Sequence, residues 1–130
     1  MKKFVYFQKK CNFIVILFLI LSSQNIFTEI EKKMLILGDS LSAGYGIPSE
    51  KQWVKIVQQK LDAKNIKLKL INASLSGETT KGGLSRLPAL LEAFSPDFVF
   101  IELGANDGLR GYPASRVRSN LIHMCKLTER

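Results

Sequence analysis

The sequence predicts an α/β fold, a flavodoxin-like three-layer sandwich around a parallel sheet, and three observations predict it. Short strand-like runs at residues 34–37, 67–71 and 97–103 alternate with longer stretches of helical periodicity. The first run, and Phe98-Val99-Phe100-Ile101 within the third, are apolar throughout, as strands covered on both faces are. Each run stops in a turn rich in Gly, Ser or Asn. Three βα units with right-handed crossovers then place the first strand between the second and the third. The 130 residues suffice for one domain with a modest core.

The chain opens on a pattern of a different kind. Lys2, Lys3, Lys9 and Lys10 precede the apolar run Phe13-Ile14-Val15-Ile16-Leu17-Phe18-Leu19-Ile20-Leu21, and no acid occurs before Glu29. That run is shorter than the roughly 20 residues a spanning helix needs and fits the apolar region of an export signal. Residues 1–28 are therefore expected to be a signal peptide leading to a periplasmic or secreted product. Ser23 and Thr28 are candidates for the position before the cut, and an uncleaved anchor is the alternative. No stable membrane span is expected after signal removal. Residues 25–32 read as a linker.

The net charge of +8 does not mark a nucleic-acid binder, because four of the lysines behind it lie in the first ten residues. The other basic residues are scattered, with no aromatic-interleaved stripe, so no nucleic-acid partner is expected. Two cysteines, Cys11 and Cys125, lie at opposite ends of the chain. With Cys11 removed, Cys125 has no internal partner and reads as a small buried apolar side chain. One histidine and two distant cysteines assemble no zinc site, and neither a metal nor another cofactor is expected.

From residue 33 the elements follow in order. Residues 34–37 form the first strand. Residues 51–64 form a helix with Trp53, Val54, Ile56, Val57 and Leu61 on one side, a core stripe rather than a set of cofactor contacts. In residues 67–71, Leu68 and Leu70 alternate with Lys67 and Lys69, which suits an edge strand. Residues 79–94 carry Leu84, Leu87, Leu90, Leu91 and Phe94 at helical spacing, interrupted by Pro88. Proline costs about 3 kcal/mol inside a helix, which predicts a break near Arg86 or Leu87 and a new helix opening at Pro88. Residues 97–103 form the most apolar strand. Residues 112–127 form a last helix with Val117, Leu121 and Met124 inward.

The chemistry lies in the turns. Leu35-Ile36-Leu37-Gly38-Asp39-Ser40-Leu41-Ser42 lifts a serine hydroxyl above the C-terminal edge of the sheet, where open α/β folds bind ligands. Asn72-Ala73-Ser74-Leu75-Ser76-Gly77-Glu78-Thr79 and Gly104-Ala105-Asn106-Asp107-Gly108 follow the other two strands, so the topology brings all three turns to one edge. A serine nucleophile needs hydrogen-bond donors around a developing oxyanion. Taken singly, Ser40 could cap a helix, Gly77 relieve a turn and Asn106 bond a carbonyl. Asp39 and Asp107 read as turn hydrogen-bonders, since a carboxylate beside the nucleophile opposes the developing charge.

These three blocks resemble, in order and with their flanks, the first three motif blocks of the SGNH (GDSL) hydrolases. Arg86-Leu87-Pro88-Ala89-Leu90-Leu91 and Glu102-Leu103-Gly104-Ala105-Asn106-Asp107-Gly108-Leu109-Arg110-Gly111 narrow the resemblance to the exported bacterial arylesterase, acyl-CoA thioesterase and lysophospholipase branch. The resemblance implies that Ser40 is the nucleophile and that the backbone N–H groups of Ser40 and Gly77 with the Asn106 amide form the oxyanion hole. It implies small acyl esters, thioesters or lysophospholipids as substrates.

The family's Asp-x-x-His block has no counterpart. The sole histidine, His123, sits in Asn120-Leu121-Ile122-His123, where Asn120 carries no charge, and the last helix carries it away from the turns. Residues 33–130 thus read as a partial SGNH domain with the first three strands, weakly active or inactive as it stands. The alternatives are a catalytically dead remnant and a small flavodoxin-like ligand binder. The latter lacks Gly-x-Gly-x-x-Gly and any Gly-Lys-Ser/Thr for nucleotides.

Overall fold

Leu35, Ile36 and Leu37 are almost completely buried, and the fold is organised around the strand that carries them. A computed structural model describes residues 30–129. The expected signal peptide, its cleavage site and Cys11 lie outside those residues. The elements run β1 (Lys32–Gly38), α1 (Ser40–Ala43), a 3₁₀ turn (Ser49–Lys51), α2 (Trp53–Ala63), β2 (Leu68–Asn72), α3 (Thr80–Phe94), β3 (Phe98–Glu102), α4 (Ala105–Leu109) and α5 (Ala114–Thr128). The sheet is parallel in the order β2-β1-β3, as the crossover argument requires. Registers run from Lys32 opposite Leu68 to Ile36 opposite Asn72, and from Met34 opposite Phe98 to Gly38 opposite Glu102.

Alternation along β1 divides its side chains between two layers. Leu35 and Leu37 join Leu87 of α3 and Met124 of α5 in the core, with Val99, Ile101, Leu84, Leu91 and Leu121 packed against them. Ile36 points to the opposite layer with its register partner Phe100, against whose ring Trp53 of α2 packs edge-to-face at 5.9 Å. Trp53 is a packing residue, as its stripe implied, although 37% of its surface stays exposed.

The structure departs from the expectations at several points. The break at Pro88 does not occur: α3 runs unbroken from Thr80 to Phe94 with Pro88 inside it, exposed. The cost of about 3 kcal/mol is outweighed because each leucine buried by the continuous helix returns about 1.5–3 kcal/mol. Leu84, Leu87 and Leu91 all pack on the core from this one helix. Cys125, expected to be buried, is exposed, because Met124 is the residue of that turn facing the core. The last helix also begins later than expected, at Ala114, and α4, a single turn after β3, was not foreseen.

Candidate active site

β1 delivers the chain to Gly38, where space rather than conformation demands glycine. A Cβ there would lie 2.8 Å from the Ser42 side chain and 2.9 Å from a Glu102 oxygen. Those two groups close over Gly38, the Ser42 hydroxyl donating to Glu102 Oε2 at 2.8 Å. The Asn72 amide donates to the Ser42 carbonyl at 2.7 Å, and the Gly38 N–H to Ser74 Oγ at 3.0 Å. The short helix α1 is thereby tied to the ends of both neighbouring strands. Its N-cap is Asp39, whose Oδ1 accepts the Leu41 N–H at 3.0 Å. Ser40 is therefore the first helical residue, half-buried, with its hydroxyl outside the capping bond.

Gly77 stands in the left-handed region at φ +76°, which a side chain rarely adopts. Its carbonyl accepts from Arg110 Nη2 at 3.0 Å. Glu78, next in the chain, forms an ion pair with Arg86 at 2.7 Å, and Arg86 also donates to the Ala73 carbonyl at 2.8 Å. This pins both sides of the loop between β2 and α3.

Asn106 lies in the first turn of α4. Its Nδ2 donates to Asp39 Oδ2 at 3.2 Å and to the Glu78 carbonyl at 3.0 Å. Both neighbours are acceptors, so the amide nitrogen, not its oxygen, must face them. Through this one side chain the residue beside Ser40, the residue beside Gly77 and Asn106 itself meet at the C-terminal edge of the sheet. The three predicted positions are 66 residues apart in sequence at the extremes, and the fold gathers their turns.

Asp107 does not make the local turn bond expected of it. Fully buried, it accepts from the Thr80 N–H and the Thr80 hydroxyl, each at 2.7 Å, while Asn120 Nδ2 donates to the same hydroxyl at 2.9 Å. It joins α4 to the start of α3 and to α5. Sequence reasoning missed this link, as it missed the Glu78–Arg86 pair and the bond from Asp39 to Asn106. Polar residues in Gly-rich turns signalled that something would be bonded there; the partners depended on the crossovers.

His123 is exposed on α5. It lies nine residues after Ala114, about 13 Å along the helix axis. Val117, in the first turn of α5, lies beside Gly104, whereas Leu127 and Thr128 at its other end line a cavity with Pro96 and Asp97, at the opposite end of β3. Asn120 is committed to Thr80 rather than to His123. Among the described residues no three His, Cys, Asp or Glu side chains gather as a metal site, and no helix is long and apolar enough to cross a membrane.

The family model of GDSL-like lipases/acylhydrolases matches residues 36–130, a span holding all three turns. The chain belongs to the GDSL-like lipase/acylhydrolase family. It is 49% identical over 113 residues to an arylesterase of Vibrio mimicus, covering 87% of this chain and 55% of that protein. It is 46% identical over 88 residues to the Escherichia coli thioesterase 1/protease 1/lysophospholipase L1, covering 68% and 41%. The solved esterase EstA of a Pseudoalteromonas species superposes with a TM-score of 0.73 at 53% identity, covering 75% of this chain and 54% of that one. The chain spans about half the length of the curated GDSL-like relatives it matches.

Proposed function

We propose that this chain carries the nucleophile and oxyanion hole of an exported serine hydrolase acting on small acyl esters, acyl thioesters or lysophospholipids. Ser40 is the nucleophile, and the Ser40 N–H, the Gly77 N–H and the Asn106 amide are the oxyanion donors. The observation that carries this reading is the Asn106 side chain, whose nitrogen bonds to the residues flanking both Ser40 and Gly77. The names of two relatives, an arylesterase and a thioesterase/lysophospholipase, support the substrate class.

In the reaction, Ser40 Oγ adds to the acyl carbon while its proton passes to a base. The carbonyl electron pair moves onto oxygen and is met by the three N–H donors, each worth about 2.7–4 kcal/mol in the barrier. Collapse expels the alcohol or thiol with a proton, and water then cleaves the acyl-serine to a carboxylic acid and free Ser40. No step calls for a cofactor. A base must come within about 3 Å of the hydroxyl or act through one water, and exposed His123, far along α5, is not that base.

The 130 residues by themselves should hydrolyse p-nitrophenyl and thioester substrates near the residual level, roughly 10³–10⁴-fold over water, that serine hydrolases keep without their nucleophile–base unit. His123→Ala should leave that rate unchanged. Joining the chain to the C-terminal half of the Vibrio mimicus arylesterase should raise it by orders of magnitude, and Ser40→Ala should then abolish it. Vigorous His123-dependent turnover by the 130 residues alone would refute the assignment of roles. Expression in a bacterium should give an exported protein shortened by about the length of a signal peptide, checked by intact mass.

A further inference from the structure

We infer that Asp39 is a positioning residue of this site, aiming the Asn106 amide and the Ser40 turn at one point. The inference rests on the reading of Asn106 as an oxyanion donor and adds a role that the motif blocks do not assign. Asp39 is 2% exposed, and each of its oxygens has its own task. Oδ1 accepts the Leu41 N–H at 3.0 Å and shapes the turn that presents Ser40. Oδ2 accepts Asn106 Nδ2 at 3.2 Å, from a residue 67 positions away.

The chemistry of the fork selects a carboxylate. Two N–H donors converge on one short side chain, and ionised Asp supplies two acceptor oxygens where Asn would supply one and turn an NH₂ against a donor. Asn106 in turn has two amide protons. One goes to Asp39 and the other to the Glu78 carbonyl at 3.0 Å. An oxyanion between Ser40 and Gly77 can take only one of them. The bond to Asp39 is the longer of the two, 3.2 against 3.0 Å, but its acceptor is a carboxylate anchored by the Leu41 N–H, whereas the Glu78 carbonyl is a neutral acceptor. Asp39 is therefore the pivot that keeps the amide plane fixed while the second proton passes from Glu78 to the oxyanion. The negative charge of Asp39 opposes the oxyanion, but both of its oxygens are already engaged by N–H groups, and the gain lies in orientation.

Asp39→Ser tests this, because serine is an equally good N-cap and keeps an acceptor for Leu41 while being too short to reach Asn106. In uniformly ¹⁵N-labelled 130-residue protein carrying Phe98→Lys and Phe100→Lys in both parent and variant, so that the open β3 edge does not associate, the backbone amide spectrum of β1, β2 and β3 should be retained. The two side-chain amide protons of Asn106, held apart and protected from exchange in the parent, should collapse toward free-asparagine values and exchange faster. In the chain joined to the C-terminal half of the Vibrio mimicus arylesterase, the form expected to be active, Ser40 labelling by a p-nitrophenyl alkylphosphonate gives the functional readout by mass spectrometry: the Oγ–P bond forms, nitrophenolate leaves and the hydroxyl proton passes to the base that half supplies. The limiting rate of labelling should fall about tenfold, a fraction of the 10²–10³ that loss of an oxyanion donor costs, with the half-saturating concentration unchanged. Asp39→Asn should fall similarly. An unaltered Asn106 signal in Asp39→Ser overturns the inference, as does parental labelling despite an altered signal. Labelling that persists in Ser40→Ala would instead refute the nucleophile assignment, leaving the Asn106 signal to decide whether Asp39 holds the amide.

Discussion

The two edges of the sheet are finished in opposite ways. At β2 the backbone groups pointing away from β1 belong to Leu68 and Leu70, and a single side chain meets them. Gln58 of α2 donates to the Leu68 carbonyl at 3.1 Å and accepts the Leu70 N–H at 2.7 Å, a stand-in for a neighbouring strand. Lys67 and Lys69 alternate along the same segment. At β3, Asp97 N–H bonds to the Lys33 carbonyl, so by alternation the backbone groups of Phe98 and Phe100 face away from β1. Among the described residues no side chain plays the part of Gln58 there, and Phe98 and Phe100 are 47% and 44% exposed. The Lys32 ammonium lies over the Phe98 ring, 5.6 Å from its centroid. One edge carries a sequence made for an edge; the other carries a sequence made for an interior strand. Apolar, unpaired edges invite pairing with other chains.

The largest effect expected from this contrast is on association. The 130-residue protein should self-associate at micromolar concentration, as species with unpaired apolar edges do, and Phe98→Lys combined with Phe100→Lys should return it to a monomer. Sedimentation velocity reads this directly, and a monomeric parent would mean that the β3 edge is already as quiet as the β2 edge.

A smaller effect concerns α3, which runs beside the open edge. Pro88 lines a cavity of about 600 Å³ there with Leu91, Phe98, Val99 and Leu127, and it cannot donate to the Leu84 carbonyl. Pro88→Ala should stabilise the protein by up to about 3 kcal/mol in urea unfolding. No gain would show that the helix has already accommodated the proline. The smallest effect lies at the finished edge. Gln58→Ala strips two backbone groups of their partner and should cost about 1–2 kcal/mol, since water reaches this half-buried site and replaces part of what is lost. An unchanged urea midpoint would remove Gln58 as the reason for the difference between the edges.

The same contrast shows what could be read before folding. The Lys/Leu alternation of residues 67–71 marked an edge strand because period-two patterning reports one wet face directly. The uniform apolarity of Phe98-Val99-Phe100-Ile101 marked burial, whereas the strand order set by the crossovers already put this strand at an edge; composition and topology disagree here, and the structure follows the topology. Pro88 misled because local propensity was weighed without the leucines that a continuous helix buries. Cys125 misled because residue type was weighed without the phase of α5, in which Met124 takes the core position.

The sequence by itself determined the α/β class, the strand order, the family and the three turns holding Ser40, Gly77 and Asn106. Those features rest on local periodicity, on crossover handedness and on short motifs, all of which are written along the chain. Only the tertiary structure decided how the turns are bonded to one another: Asp39 to Asn106, Asn106 to Glu78, Asp107 to Thr80. Each of those bonds joins residues 27 or more positions apart. A hydrogen bond of about 3 Å tolerates little error, and nothing in the spacing along the chain can specify that distance before the sheet and its crossovers have set it.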